Sequence, residues 1–220
     1  MEITCSPFGP FETNCYLLID DAGKRCAVVD APPDSARVLL PEIRARKLEL
    51  EALLLTHGHW DHMADAHAFV APGVRVYAHS KDRSCYETPQ NFMGFYKMAL
   101  PHLTAVDFQA VAVTDWMDDG DSFELLGKAF SVRHVPGHCP GNILFYCASE
   151  KAAFPGDAIF EGSVGRTDLP GGSWAQLLSS ICTRIYTLPD DTALFPGHGS
   201  RSTVGREKRA NPYARPEADK

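Results

Sequence analysis

Short apolar runs separated by turn-forming residues divide the first part of the chain into strands. Residues 16–19 (Tyr-Leu-Leu-Ile) and 27–29 (Ala-Val-Val) are apolar, and the Asp-Asp-Ala-Gly stretch between them is typical of a turn. This alternation predicts a meander of three short strands within residues 1–30. The Asp-Ala-Pro-Pro sequence that follows ends the third strand, because proline has no N–H to donate to a strand ladder.

Strands and helices then alternate without a regular repeat. A helix capped by Asp34 or Ser35 is expected to reach about Lys47, with a kink or a break at Pro41. The next predicted elements are a strand at 50–55, a helix at 61–70 and a strand at 74–77.

Strands return in the second half of the chain after a segment of different composition. Residues 80–110 are rich in methionine and aromatic side chains and are broken by prolines, which predicts short helices that form either plain core or a lid. Ser173 is expected to cap an amphipathic helix with an apolar face of Trp174, Leu177, Leu178, Ile181 and Ile185. The other predicted elements are strands at 122–126, 129–135, 142–147, 151–154 and 193–195 and a polar helix at 203–210.

This order of elements favours an α+β fold in which two mixed sheets pack face to face with helices outside. No linker rich in Pro, Gly and Ser interrupts the pattern, so residues 1–212 are predicted to form a single domain with a frayed polar tail at 213–220. A chain of 220 residues with 45% hydrophobic side chains can bury a sizeable core.

Charge and cysteine usage narrow the classes of function and compartment. The formal net charge is −7 without basic runs, which argues against nucleic acid or an anionic membrane as the main partner. The seven cysteines are scattered and never spaced Cys-x-x-Cys, as expected for reduced thiols in the cytoplasm. Neither a signal peptide nor a transmembrane segment is evident, so we expect a cytoplasmic protein of undetermined oligomeric state.

Candidate metal ligands are concentrated after an apolar run, in the sequence Thr-His-Gly-His-Trp-Asp-His at 56–62. His57 and His59 are two residues apart, so in extended backbone both project to the same side and can bind one ion. Asp61 and His62 follow after the chain has turned, and this second pair suits a second, adjacent ion. A polar turn without an ion is the alternative, but it would bury three imidazoles and a carboxylate at a cost in desolvation energy.

Three further ligand-type residues follow strands, each directly after a Pro-Gly pair: His138, Asp157 and His198. Each alone could be an ordinary surface turn, whereas three together after the first cluster indicate a shared site. Two ions with three imidazoles or carboxylates each would keep open positions for water, as catalytic sites do. The predicted sets are His57, His59 and His138 for one ion, Asp61, His62 and His198 for the other, and Asp157 as a bridge.

The sequence His-x-His-x-Asp-His, followed by the distant His138, Asp157 and His198, resembles the metallo-β-lactamase fold superfamily over roughly residues 1–212. The resemblance implies a four-layer αββα sandwich of two mixed β-sheets with two divalent ions at one edge. Zinc is the expected metal, and iron and manganese are alternatives because His/Asp sites accept all three. Asp157 stands where zinc β-lactamases commonly carry cysteine, which argues against antibiotic hydrolysis as the physiological role.

One branch of the superfamily matches in more detail. The segment 162–168 (Gly-Ser-Val-Gly-Arg-Thr-Asp) is similar to one shared by small glyoxalase II-like hydrolases and persulfide dioxygenases, and the Pro-Gly-His-Gly ending at 196–199 is more similar to the former. This resemblance implies a hydrolase of small acyl thioesters of the S-lactoylglutathione type, in which hydroxide generated by the ions attacks the acyl carbonyl. Asp61 would hold the second ion and orient the nucleophile. The chain is expected to lack the C-terminal helical domain with which long glyoxalase II enzymes bind glutathione.

Other functions are compatible with the same residues. In persulfide dioxygenases two histidines and an aspartate hold a single iron, and the equivalent residues here are His57, His138 and Asp157. A lactone or phosphodiester hydrolase of the same fold is another alternative. In a non-enzymatic role the ions would only brace the fold, and His59→Ala would then lower the melting temperature without abolishing any turnover.

Two residues outside the ligand set are predicted to support the site. Arg166 is expected to hold a substrate carboxylate, by its charge and by the family resemblance, with an ordinary surface arginine as the alternative. Asp30, at the end of a predicted strand, is expected to accept a hydrogen bond from a ligand histidine, with a turn or helix-cap aspartate as the alternative. The residues expected only to pack or to face solvent are Cys139, His67, His79, His102 and His134.

Overall fold

The computed structural model describes residues 1–92 and 109–215 and divides the chain into two compact units, Met1–Trp116 and Met117–Lys220. The chain combines two six-stranded sheets with short helices, which is the α+β class expected from the sequence. Most of the methionine- and aromatic-rich segment, with its predicted short helices and lid, lies outside the described residues. His102 and the last five residues also lie outside them. Within the described ranges, no helix is long and apolar enough to cross a bilayer.

The first sheet begins with the predicted three-stranded meander. Its strand order is β1-β2-β3-β4-β5-β6; β1, β2 and β3 pair antiparallel, and β4 and β5 are added in parallel. The middle strands β2 and β3 are buried on both faces, which explains why they appear in the sequence as continuous apolar runs. The bounds are β1 Glu2–Phe8, β2 Thr13–Ile19, β3 Arg25–Val29, β4 Glu49–Leu54, β5 Arg75–His79 and β6 Asp115–Met117.

Helix α1 (Ser35–Ala45) connects β3 to β4 and runs through Pro41 without the break that the sequence allowed. Pro41 and Arg37 both lie on the exposed side, so water can reach the carbonyl that loses its intrahelical partner. Asp34 occupies the cap position but makes no side-chain capping bond. The Asp65 carboxylate accepts a hydrogen bond from the backbone N–H of Ala36 at 3.0 Å instead.

The single helix predicted at 61–70 is wrong, because two one-turn helices, α2 (Trp60–Met63) and α3 (Ala66–Phe69), occupy this segment. Asp65 separates them, since its backbone N–H donates to the carbonyl of Ala31 at 2.9 Å rather than to a helical carbonyl. Burial raises the pKa of its carboxyl group. A 3-10 turn at Ser80–Asp82 and α4 (Arg83–Glu87) follow β5.

The second sheet has the order β14-β13-β10-β9-β8-β7, with β10 and β13 parallel and the other pairs antiparallel. A separate antiparallel hairpin, β11–β12, precedes the helices. The bounds are β7 Ser122–Leu125, β8 Lys128–His134, β9 Ile143–Cys147, β10 Ala152–Phe154, β11 Ile159–Phe160, β12 Ser163–Val164, β13 Ala193–Leu194 and β14 Ser202–Thr203.

The helix after Ser173 has the predicted cap, because the Ser173 hydroxyl accepts from the backbone N–H of Gln176 at 3.4 Å. Helix α5 (Trp174–Ser180) continues as a π-helical turn at Ile181–Ile185. Trp174 is 46% exposed, so its predicted place on the buried face is wrong. The fully buried members of that face are Leu177, Ile181 and Ile185. The last helix, α6 (Val204–Ala210), is capped by the hydroxyl of Thr203, which accepts from the backbone N–H of Arg206.

Gly137 lies after β8, where the chain passes close to α5. Its φ is 130°, and a Cβ added there would lie 2.3 Å from the backbone nitrogen of Leu177. Neither a left-handed backbone nor this approach tolerates a side chain, so glycine fixes the path of the chain into His138.

We expect Gly137→Ala to lower the free energy of unfolding by roughly 3 kcal/mol, because the added methyl group must push α5 away. Gly73→Ala is the matched control: Gly73 has a φ of 89°, but its Cβ would meet nothing within 4 Å. It should lose only about 1 kcal/mol from backbone strain. Urea unfolding measures both, and equal losses would show that the contact with α5 is not limiting.

Candidate metal centre

In the first unit, His57 and His59 lie between β4 and α2, and Asp61 and His62 lie in α2. His57 and His62 are fully buried, and Asp61 is 8% exposed. The Nε2 atom of His57 lies 3.1 Å from Nδ1 of His59, and Nε2 of His62 lies 3.7 Å from Oδ2 of Asp61. The rings of His57 and His62 are also adjacent, with centroids 4.1 Å apart. The first unit therefore gathers four candidate ligands in one place.

In the second unit, two histidines approach a single carboxylate. Oδ2 of Asp157 lies 3.6 Å from Nε2 of His138 and 3.4 Å from Nε2 of His198. Asp157 and His138 are buried, whereas the His198 side chain is 25% exposed. Asp157 is thus placed between two imidazoles.

The distances within each unit fit a divalent ion. Nitrogen and oxygen ligands at 2.0–2.2 Å from a tetrahedral zinc lie roughly 3.3–3.6 Å from one another. The four distances between neighbouring candidate ligands are 3.1, 3.7, 3.6 and 3.4 Å. The histidines and aspartates present are also ligand types that zinc, iron and manganese accept.

Asp30 organises the ligand loop of the first unit. Its carboxylate accepts hydrogen bonds from the backbone N–H of Thr56 at 2.8 Å and from the Thr56 hydroxyl at 2.8 Å. It also lies 2.8 Å from Nδ1 of His62. A proton on Nδ1, shared with Asp30, leaves the Nε2 lone pair of His62 for an ion. The Thr56 hydroxyl contacts Nδ1 of His57 at 3.1 Å, so the Asp30 network extends to a second ligand.

Two further residues of the first unit hold this loop, and the sequence pattern did not reveal them. Thr13, the first residue of β2, donates its hydroxyl to Oδ2 of Asp61 at 3.0 Å. Asp82 accepts from the backbone N–H of Gly58, between the first two histidines, at 2.9 Å. Both are ordinary polar residues at strand and turn positions, where no motif distinguishes them.

The loops of the second unit are joined by Asn142, which is fully buried. Its amide donates to the carbonyls of Val135 and Pro155, at 3.3 and 3.0 Å, and its oxygen accepts from the backbone N–H of Asp157. The segments that carry His138 and Asp157 are therefore fixed to each other. Asn142 was also missed, since it stands in a Gly-Asn pair that reads as a plain turn.

His138 is oriented by backbone rather than by a carboxylate. Its Nδ1 lies 2.8 Å from the carbonyl oxygen of Arg166. Gly165 makes this possible, because a Cβ there would lie 1.9 Å from the carbonyl oxygen of Asp157. The Arg166 side chain is 61% exposed and pairs with both carboxylate oxygens of Asp168 at 2.7 Å, which holds the pKa of Asp168 at about 2.

Four of the residues expected only to pack or to face solvent lie in the described part of the chain, and their surroundings differ. Cys139 is buried, and His79 is buried with its Nδ1 accepting from the backbone N–H of Lys81. His67 and His134 make ring contacts with nearby backbone carbonyls, those of Ala64 and Pro140.

The sequence pattern of the Metallo-beta-lactamase superfamily matches residues 8–198, a range that includes all the candidate ligands. The chain belongs to the metallo-β-lactamase superfamily. A curated relative, hydroxyacylglutathione hydrolase GloC of Haemophilus influenzae, is 38% identical over 97% of this chain and 98% of its own length. These matches show that the protein is a metallo-hydrolase of this superfamily.

Solved structures of the superfamily confirm the fold. BLEG-1 B3 metallo-beta-lactamase aligns with a TM-score of 0.85 and 34% identity, covering 97% of this chain and 99% of that one. TTHA1623 in a di-iron-bound form aligns with a TM-score of 0.80 and 34% identity, covering 96% of this chain and 99% of that one. The predicted α+β class with two large mixed sheets and the predicted superfamily are both confirmed.

Asp30→Asn is expected to weaken metal binding roughly 10- to 100-fold, because one carboxylate oxygen becomes an NH₂ group that cannot accept from His62 or Thr56. Asparagine keeps the shape of the side chain and tolerates the left-handed backbone at this position, where φ is 58°. The dissociation constant of zinc, measured by competition with a chromogenic chelator, tests the effect.

Asp34→Asn is the matched control for this substitution. Asp34 also has a left-handed backbone, with φ of 71°, but it is exposed. Among the residues that the structure describes, its carboxylate bonds to the nearby Arg37 side chain. Its variant should bind zinc like the parent protein. Equal affinity of the Asp30 variant and the parent would show that Asp30 does not orient a ligand.

Proposed function

We propose that this member of the superfamily hydrolyses small acyl thioesters of the S-lactoylglutathione type with the help of two divalent ions. The observation that carries the proposal is the similarity to hydroxyacylglutathione hydrolase GloC over nearly the whole of both chains. Because 98% of that relative is covered, its named activity does not depend on a large domain without a counterpart here. A hydroxyacyl thioester is therefore the substrate class that we assign.

We further propose that the ligands of the two units serve one dinuclear centre. Two divalent ions outweigh the charge of two aspartates, so such a centre favours an anionic or carbonyl substrate within an acidic chain. Asp157 would bridge the ions, since two imidazoles of its own unit already approach its Oδ2 atom. The proposed sets are His57, His59 and His138 for one ion and Asp61, His62 and His198 for the other, all of them ligand types that zinc, iron and manganese accept.

Bound ions of this kind supply a water that is deprotonated near neutral pH and polarise an acyl carbonyl. We assign to Asp61 the orientation of the attacking water in addition to its role as a ligand. The Thr13 hydroxyl supports this role, because its hydrogen bond fixes one oxygen of the Asp61 carboxylate. The buried position of Asp61 keeps bulk water away and strengthens such a contact.

Arg166 is proposed to bind a carboxylate of the thiol portion of the substrate. Its guanidinium is exposed, and its planar fork already holds one carboxylate, that of Asp168, through two hydrogen bonds. A substrate carboxylate would take the place of Asp168 or share the fork with it. The link between the Arg166 carbonyl and His138 would keep this contact at a fixed distance from a metal ligand.

The proposal predicts that protein loaded with zinc, iron or manganese cleaves S-lactoylglutathione, with about two ions per chain by elemental analysis. Release of the thiol and loss of thioester absorbance measure the reaction, and a chelator should abolish it. Faster hydrolysis of a chromogenic cephalosporin, the substrate class suggested by the name of BLEG-1, would overturn the proposal. One iron per chain with oxygen uptake on glutathione persulfide would replace it with a dioxygenase.

His59→Ala should lower kcat/KM for the thioester by at least roughly 100-fold, because an ion loses one of its three imidazoles. His67→Ala is the control, since within the described part of the chain the His67 ring forms its hydrogen bond with the backbone carbonyl of Ala64. The control should keep its activity within about twofold. A His59 variant that melts earlier but turns over at the parent rate would favour a bracing role for the ions.

A further inference from the structure

A buried carboxylate in the second unit lies where three segments of the chain meet. Glu207, in the first turn of α6, is 1% exposed. Its Oε2 atom accepts from the backbone N–H of Gly162 at 3.0 Å and from the side-chain amide of Asn211 at 2.8 Å. Its Oε1 atom accepts from the hydroxyl of Ser202. These bonds offset the desolvation of the carboxylate, which an apolar residue in the same place would not incur.

The partners of Glu207 lie on the segments that carry candidate ligands. Gly162 forms the turn of the β11–β12 hairpin, which begins two residues after Asp157. Ser202 begins β14, four residues after His198. Asn211 holds the same hairpin a second time, because its amide also donates to the carbonyl of Ser163 at 2.9 Å.

The hairpin in turn leads to the contact that orients the third ligand. β12 ends at Val164, and Gly165 and Arg166 follow directly. The carbonyl of Arg166 accepts from His138, and the backbone N–H of Gly165 lies 3.5 Å from the carbonyl of Ala158. A displacement of the hairpin would therefore move that carbonyl away from His138.

We propose that Glu207 is a positioning residue for the metal ligands of the second unit. By binding the hairpin turn and β14 together, it sets the segments of Asp157 and His198 relative to each other and fixes the loop that orients His138. In this role Glu207 positions other residues and is not itself a ligand. This role rests on the proposed function, because it requires that these residues bind a metal.

The test compares variants at Glu207 that differ in hydrogen bonding rather than in size. Glu207→Met removes every acceptor, and we expect the dissociation constant of Co²⁺ to rise roughly 10- to 100-fold with a changed visible absorption spectrum. Glu207→Gln should stay within about threefold of the parent, because its oxygen can face Gly162 and Asn211 while the Ser202 hydroxyl accepts from its NH₂ group. Rescue by glutamine would identify the hydrogen bonds, rather than the charge, as the requirement.

Tyr186→Phe is the control for a general loss of stability in the second unit. The Tyr186 hydroxyl is buried and donates to the carbonyl of Ala214 at 2.6 Å, a bond that includes none of the groups whose hydrogen bonds Glu207 accepts. This variant should unfold at a lower temperature than the parent protein but bind Co²⁺ with the same affinity. If Glu207→Met weakens Co²⁺ binding no more than Tyr186→Phe does, the positioning role is wrong.

A milder substitution covers the case in which Glu207→Met does not fold. Ser202→Ala removes a single bond to Glu207, and we expect Co²⁺ binding several-fold weaker than in Tyr186→Phe; equal binding would overturn the proposal. In the variants that cleave the thioester, kcat at saturating metal should fall while KM stays within twofold. Cleavage by the parent protein tests the proposed function separately, because Co²⁺ binding requires no substrate.

Discussion

The hydrogen bonds of Asp30 are the constraint on which the first ligand cluster depends. Its backbone N–H donates to the carbonyl of Leu54, at the paired ends of β3 and β4, and its carboxylate receives Thr56 and His62. A carboxylate that is only 2% exposed would be costly without such partners. The end of one parallel strand thereby orients a ligand that follows the next strand, so that strand pairing and metal geometry are set by the same residue.

The second unit reaches a similar result with different chemistry. There the ligand segments are joined by the Asn142 amide, by the backbone carbonyl of Arg166 and by the buried Glu207. The first unit relies on the carboxylate of Asp30, whereas the second unit combines one carboxylate with neutral amide and carbonyl groups. The two halves of the ligand set are thus supported by different kinds of hydrogen-bonding groups.

The sequence revealed the ligand-type residues and Asp30, but not the other groups that hold the ligands. The His-x-His-x-Asp-His motif and the Pro-Gly turns stand out because imidazoles and carboxylates after apolar strands are unusual. Thr13, Asp82 and Asn142 have no such signal, since each bonds to a group that is distant in the sequence and is brought close only by the fold. The membership of all seven ligands in one dinuclear centre stays a prediction.

Secondary structure could be predicted where apolar periodicity and capping agreed. The prediction was wrong where a residue distant in the sequence formed a competing contact. Strand positions follow the apolar runs to within a few residues, and Ser173 caps the helix expected of it. The prediction of one helix at 61–70 is wrong because Asp65 forms hydrogen bonds with Ala31 and Ala36, which no local sequence pattern connects to it. Trp174 was wrongly assigned to the buried face because an apolar face of a helix does not show how far the elements packed against it extend.

The contact between His138 and position 166 has a consequence for how this enzyme family can diversify. The imidazole is held by a main-chain oxygen, which every amino acid possesses, so a residue of any type at 166 can supply it. Gly165 next to it is fixed, because any larger residue would collide with the chain at Asp157. Selection can therefore vary the group presented to solvent at 166 and leave the geometry of the adjoining imidazole unchanged.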